Sequence, residues 1–185
     1  SFLEPSEFAN GQTRDREGRL IQCHHRSRCL TRLEHNGSST TLVSQARGQR
    51  LNAPNDVVVK RDGSIWFSDP LYGLMNDYEG GRQRSEQPPA LYRLDPSSGQ
   101  IDAVATDFDG PNGLAFSPDE QLLYVAESGA PGRPFAAVRA FVTAGATYFI
   151  AVDGAAGAQG QVSLNLKLET ARELYATHFD LFPAG

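Results

Sequence analysis

Three asparagines stand at matching places along the chain. Asn10, Asn55 and Asn112, 45 and 57 residues apart, each precede a short apolar stretch, and the last two each follow a proline. A carboxamide offers a neutral, hard oxygen, the donor type that calcium takes at ~2.3–2.6 Å. A single Asn before a strand serves equally well to shape its turn, because it tolerates left-handed geometry and caps its own backbone. Recurrence opens the other possibility: if the fold brings equivalent positions together, three distant residues become one cluster of oxygens. Asp56, Asp69 and Glu127 place carboxylates in the same neighbourhoods, and Asp69 and Glu127 end matching apolar stretches. They are candidates for a ligand or a base, or they mark soluble strand ends. Asp62 and Asp119 fall in the opposite turns and read as structural.

Other chemistries find little support. A nucleophile elbow, G-x-S-x-G, is absent, which removes the usual serine-hydrolase signal. Gly80-Gly81 is not followed by a helix, so it does not read as a phosphate cradle. Cys23-His24-His25 and Cys29 suggest zinc, but the spacing does not match the common zinc patterns. Small buried thiols on a strand, with the histidines on its other face or in a turn, are the expectation; a Cys23–Cys29 disulfide stays open for an oxidising compartment. The net charge of −5 leaves no basic stripe for nucleic acid. The arginines at 14, 16, 19, 26, 28 and 32 lie among acidic and polar residues and read as a solvated strand surface. No apolar run approaches the ~18 residues of a membrane span, and the opening SFLEPSEFANGQ lacks the features of a signal peptide. A soluble chain is expected, its compartment open.

The elements that must carry these residues repeat as well. Glu17–Cys23, Asp62–Asp69 and Asp119–Glu127 each read as an acidic turn and a second apolar strand following the Asn-led strand. Between them lie two hairpins, 30–34 with 40–43 and 91–95 with 101–104, and 138–141 resembles the opening of a third. Four short strands in each 45–60 residues is the pattern of a β-propeller blade. A β-sandwich also has many short strands, but it does not predict the same pair of hairpins recurring with its Asn in place. The fold predicted is all-β, a partial propeller of antiparallel four-stranded blades over residues 1–141, with an exposed loop inserted at 76–89. There is room for two full and two partial blades before 141. A propeller needs at least ~4 blades to close, so open edges and self-association through them are expected. Residues 142–185 form a divergent tail: strands near 147–153 and 161–168, a small-residue segment at 155–160, and a short helix over 170–182.

Residues 50–74 (RLNAPNDVVVKRDGSIWFSDPLYGL), 9–25 (ANGQTRDREGRLIQCHH) and 110–128 (GPNGLAFSPDEQLLYVAES) resemble the gluconolactonase/regucalcin family. The likeness runs over about 8–141. It implies a six-bladed propeller with one divalent metal, most often calcium, in the central channel, and hydrolysis of sugar lactones to aldonic acids. It implies that Asn112 is a metal ligand and that Asn55, in the PND turn, lies close to metal and substrate. The family's first-blade Glu has no convincing match in Glu4 or Glu7. Its later Asp, the general base implied by the resemblance, has no match either. The catalytic residue is therefore unassigned, and the 185 residues alone are expected to turn over lactone poorly. The alternative is a non-catalytic propeller piece acting as a binding or structural module.

Overall fold

The computed structural model describes residues 4–128 and, as strands, 137–141, 166–170 and 173–176. The described residues form an all-β structure of antiparallel sheets. β1 (Ala9–Arg14), β2 (Leu20–His24), β3 (Cys29–Leu33) and β4 (Ser39–Val43) pair in chain order. A two-residue ribbon, β5 (Gln45–Ala46) with β6 (Gln49–Arg50), leads to the second four-stranded sheet. That sheet contains β7 (Val57–Val59), β8 (Ile65–Asp69), β9 (Ala90–Leu94) and β10 (Ile101–Ala105), again in chain order, with α1 (Tyr72–Met75) between β8 and β9. The third sheet opens with β11 (Pro111–Phe116), β12 (Leu123–Glu127) and β13 (Ala137–Phe141).

Alternation along the strands explains why the sheets stack. Val57, Ile65, Phe67, Tyr92 and Leu94 bury against Ile21, Cys23, Leu30 and Leu51 of the first sheet and its connection. Their neighbours Val58, Trp66 and Leu91 pack instead with Phe108, Leu114, Leu123 and Val125 of the third. The second sheet is thus apolar on both faces, and its strands read as continuous apolar runs with period-two division of labour. Each fully buried large side chain contributes roughly 1.5–3 kcal/mol. Phe67 stacks on Tyr92 at 5.3 Å, and Trp66 meets Phe116 edge-on at 5.8 Å.

The hairpins turn where predicted. Gly18 and Gly63 take positive φ in the β1–β2 and β7–β8 turns, and Glu120 occupies the same left-handed place in the third at φ 57°. Two expectations need correction. Two full sheets and one further sheet, rather than two full and two partial blades, fall before residue 141 among the described residues. The helix over 170–182 is not formed at its centre: Glu173–Ala176 is a strand, β15, which pairs with β13 and with β14 (Leu166–Thr170) to give the order β11-β12-β13-β15-β14. Edge pairing to β13 outweighs the loose helical spacing of Leu174 and its neighbours. The expected strand at 147–153 and the small-residue segment at 155–160 lie outside the described residues.

The cysteines are both buried and free, on facing strands, and no disulfide joins them. Arg28 departs from the expected solvated surface, being only 2% exposed. No described helix is long and apolar enough to cross a membrane.

Candidate functional site

The first strands of the three sheets meet at the end where the asparagines lie. Asn10 and Asn112 sit inside interruptions of the ladder, between Ala9 and Gln12 in β1 and between Pro111 and Leu114 in β11. Such bulges free a side chain from the regular pleat. Gly11 donates its N–H to the Asn55 carbonyl at 2.7 Å, joining the first sheet to the second. A Cβ at Gly11 would overlap that carbonyl oxygen and lie 2.6 Å from the Asp56 Cα, so the close approach requires glycine. Ser68 donates its hydroxyl to the Asn112 carbonyl at 2.7 Å, joining the second sheet to the third, while its own backbone carbonyl accepts from Asn55 N–H at 2.9 Å. The structure therefore brings Asn10, Asn55 and Asn112 to one end of adjoining strands.

Their side chains are not consumed by the turns. Asn112 donates Nδ2 to Ser128 Oγ at 3.0 Å, and its Oδ1 accepts nothing from the described residues. Asn55 is 6% exposed and its carboxamide has no hydrogen-bond partner among them. Asn10 Nδ2 lies 3.1 Å from His25 Nε2. Oxygen donors of this type suit a hard cation. Among the described residues no group of three His, Cys, Asp or Glu side chains gathers as a metal cage.

The three nearby carboxylates are engaged in holding the strands. Asp56 accepts Val57 N–H on Oδ1 at 2.9 Å and Leu114 N–H on Oδ2 at 2.7 Å, a brace between β7 and β11. Glu127 Oε1 accepts Asp109 N–H at 2.6 Å and Gly110 N–H at 3.4 Å, fixing the loop ahead of Asn112. Asp69 is fully buried and accepts Asn52 N–H at 2.8 Å. Burial pushes its pKa up to about 7, against the pull of the Asn52 and Ala53 amides and of Arg28. Among the described residues, Asp69 Oδ1 and Arg28 Nη2 are buried without hydrogen-bond partners.

The insertion at 76–89, expected as an exposed loop, is exposed over most of its length but firmly tied down. Glu79 O lies 2.9 Å from His25 Nδ1. Ser85 donates to Asn52 Oδ1 at 2.8 Å, and Gln87 donates Nε2 to Arg50 O at 2.8 Å. Arg28 donates Nη1 to Gln83 at 3.3 Å and Nε to the Leu51 carbonyl at 2.6 Å. Helix α1 sits directly on His25: a Cβ at Gly73 would lie 2.6 Å from the His25 Cβ. Tyr72, on the same helix, donates its hydroxyl to Gly110 O at 2.9 Å, and burial raises its pKa. His25, Arg28, Ser68, Tyr72 and Ser128 are participants that the repeat did not mark, since none recurs from sheet to sheet. Tyr72 lay within the distinctive FSDPLYG stretch, and His25 within the Cys-His-His run.

Comparison with known proteins identifies the family. Residues 2–132 match the SMP-30/Gluconolactonase/LRE-like region, and the chain belongs to that family. It is 32% identical over 128 residues to a gluconolactonase of Zymomonas mobilis, covering 69% of this chain and 35% of that protein. It is 34% identical over 98 residues to lactonohydrolase oryL of Aspergillus oryzae, 51% of this chain and 21% of the relative. Among solved structures, a gluconolactonase from Xanthomonas campestris superposes with a TM-score of 0.71 at 42% identity, covering 76% of this chain and 46% of the other. A virginiamycin B lyase from Staphylococcus aureus, at 18% identity and TM-score 0.52, shares the fold. The chain thus spans about a third of the first curated relative and under half of the first solved structure.

Proposed function

We propose that this chain supplies consecutive blades of a six-bladed propeller lactonase, whose channel binds a divalent cation, most simply calcium, and a sugar lactone. The observation that carries the reading is the pair Asn55 and Asn112, held at one end of adjoining strands, the first with a carboxamide and the second with an Oδ1 that meet no hydrogen-bond partner among the described residues. The residues fit such a cation as part of its shell: neutral oxygens, fixed by the hydrogen bonds of their own backbones. A bound cation supplies polarisation of the lactone carbonyl and charge stabilisation at the developing oxyanion. The chain's own contribution is to orient. Ser128 takes the amide end of Asn112, leaving its oxygen unused among the described residues, and Asp56 and Ser68 fix the spacing between the strands that carry both asparagines.

Hydrolysis also needs a base to take the proton of the attacking water, worth typically ~10²–10⁴-fold. Asp56, Asp69 and Glu127 are engaged with backbone amides, and Asp69 is sealed from solvent. That observation favours a second reading, in which these residues bind metal and lactone without turning the lactone over. Proton release from gluconolactone, followed with calcium and with chelator against the spontaneous rate, separates the two. Calcium binding with little turnover is expected from these 185 residues. Calcium-dependent turnover lost in Asn112→Ala would establish the enzyme; no calcium binding by folded protein would reject the metal site.

A further inference from the structure

The third asparagine of the repeat is held differently from the other two. Asn10 is exposed, in the bulge of β1, and its only side-chain hydrogen bond among the described residues is from Nδ2 to His25 Nε2 at 3.1 Å. His25 is 1% exposed. On its other side, Nδ1 lies 2.9 Å from the carbonyl of Glu79 in the insertion. A carbonyl oxygen can only accept, so Nδ1 carries the proton. A neutral imidazole then has Nε2 bare, and Nε2 can only accept; the group facing it must be the amide end of Asn10. The Asn10 oxygen is left on the far side, as Ser128 leaves that of Asn112.

We propose that His25 is a positioning residue, locked in its Nδ1–H tautomer by the Glu79 carbonyl, which turns Asn10 so that its oxygen becomes a third carboxamide donor in the cation site. This rests on the cation reading above. Outer partners that orient a ligand in this way are worth typically ~10–100-fold in metal affinity. It also gives the insertion a role: its backbone sets the tautomer that sets the asparagine. The Gly73–His25 contact keeps the ring from swinging away.

Two variants divide the ring's functions. In His25→Gln the side-chain amide oxygen reaches the Nε2 place and can still accept from Asn10. In His25→Asn the amide nitrogen reaches the Nδ1 place and still serves Glu79, but Asn10 loses its acceptor. Calcium affinity by calorimetry is expected to stay within about threefold of wild type in the Gln variant and to weaken about tenfold or more in the Asn variant, like Asn10→Ala. A merely structural His25 would give equal losses in both, which overturns the proposal. Nitrogen-15 NMR of the unsubstituted chain supplies a readout without any variant: His25 protonated at Nδ1 supports the proposal, and protonation at Nε2 overturns it. Wild-type protein that binds no calcium, while showing the Nδ1–H tautomer, overturns the cation reading and the donor role of Asn10 with it, yet leaves the His25–Asn10 contact standing.

Discussion

The two ends of the inner strands repeat equally well in sequence and behave differently in structure. At one end, Asp62 and Asp119 stand in hairpin turns; at the other stand Asn10, Asn55 and Asn112. Asp62 Oδ1 accepts Ser64 N–H and the Ser64 hydroxyl at 2.9 and 2.6 Å, and Asp119 Oδ1 accepts Gln121 N–H and the Ser117 hydroxyl at 3.1 and 2.6 Å. These carboxylates are spent on their own turns. At the opposite end the asparagines keep oxygens in reserve among the described residues, and the work of holding backbone falls to their neighbours Asp56, Ser68 and Glu127. A repeated polar residue is thus a candidate for function only once its hydrogen bonds have been counted. The difference can be tested by perturbing each end and reading both stability and calcium.

The largest effect is expected from the buried charge at the asparagine end. Asp69 has a pKa of about 7 in the fold against 3.8 for the free side chain, so between those values the folded state holds the extra proton. Stability should therefore fall as pH rises from about 4 to about 7 and level off above, with a slope of up to ~1.4 kcal/mol per pH unit from this one group. Urea midpoints measured across that range should show the fall in wild type and lose it in Asp69→Asn. A flat wild-type profile would mean that Arg28 compensates the carboxylate fully. Asn55→Ala and Asn112→Ala come next. Each should weaken calcium binding at the proposed site by about tenfold or more, since hard cations depend on donor number, with little change in melting temperature. Gly11→Ala addresses the seam between sheets. Its Cβ meets rigid backbone of Asn55 and Asp56, so destabilisation of about 1–3 kcal/mol is expected from chemical denaturation.

Much of this was legible in the sequence because local patterns recur. Period-two runs such as Val57-Val58-Val59 fix both strand and stacking, and the Asn–strand–turn–strand order fixes which end the asparagines share. Even the roles of Asp62 and Asp119 follow from their turn positions. What stayed hidden depends on long-range contact. Nothing local distinguishes Arg28 from the exposed arginines around it, yet it reaches across to residues 51, 52 and 83 and is buried. His24 and His25 are indistinguishable in sequence; one bonds Thr31 and Ser6, the other the insertion and Asn10. The fate of Glu173–Ala176 was decided by the free edge of β13, which no propensity records.

The smallest effect should come from the turn end, and it sharpens the comparison most. Asp62→Ala removes the acceptor for the Ser64 amide and hydroxyl; Asp119→Ala does the same for Gln121 and Ser117. Asp62 and Asp119 are themselves exposed, so water can take the place of the lost carboxylate, and each substitution should cost only about 1 kcal/mol, the net worth of an ordinary hydrogen bond. Both carboxylates sit below their usual pKa, Asp62 with its Ser64 bonds set against burial and Asp119 chiefly through the Ser117 hydroxyl. The stabilisation they give is therefore present at neutral pH and lost as pH falls through their folded values, opposite in sign to Asp69. Calcium affinity should not move in either variant. If Asp62→Ala or Asp119→Ala weakened calcium as much as Asn112→Ala, the cation would be bound at the turn end or spread over the surface, and the assignment of the site to the asparagine end would fall.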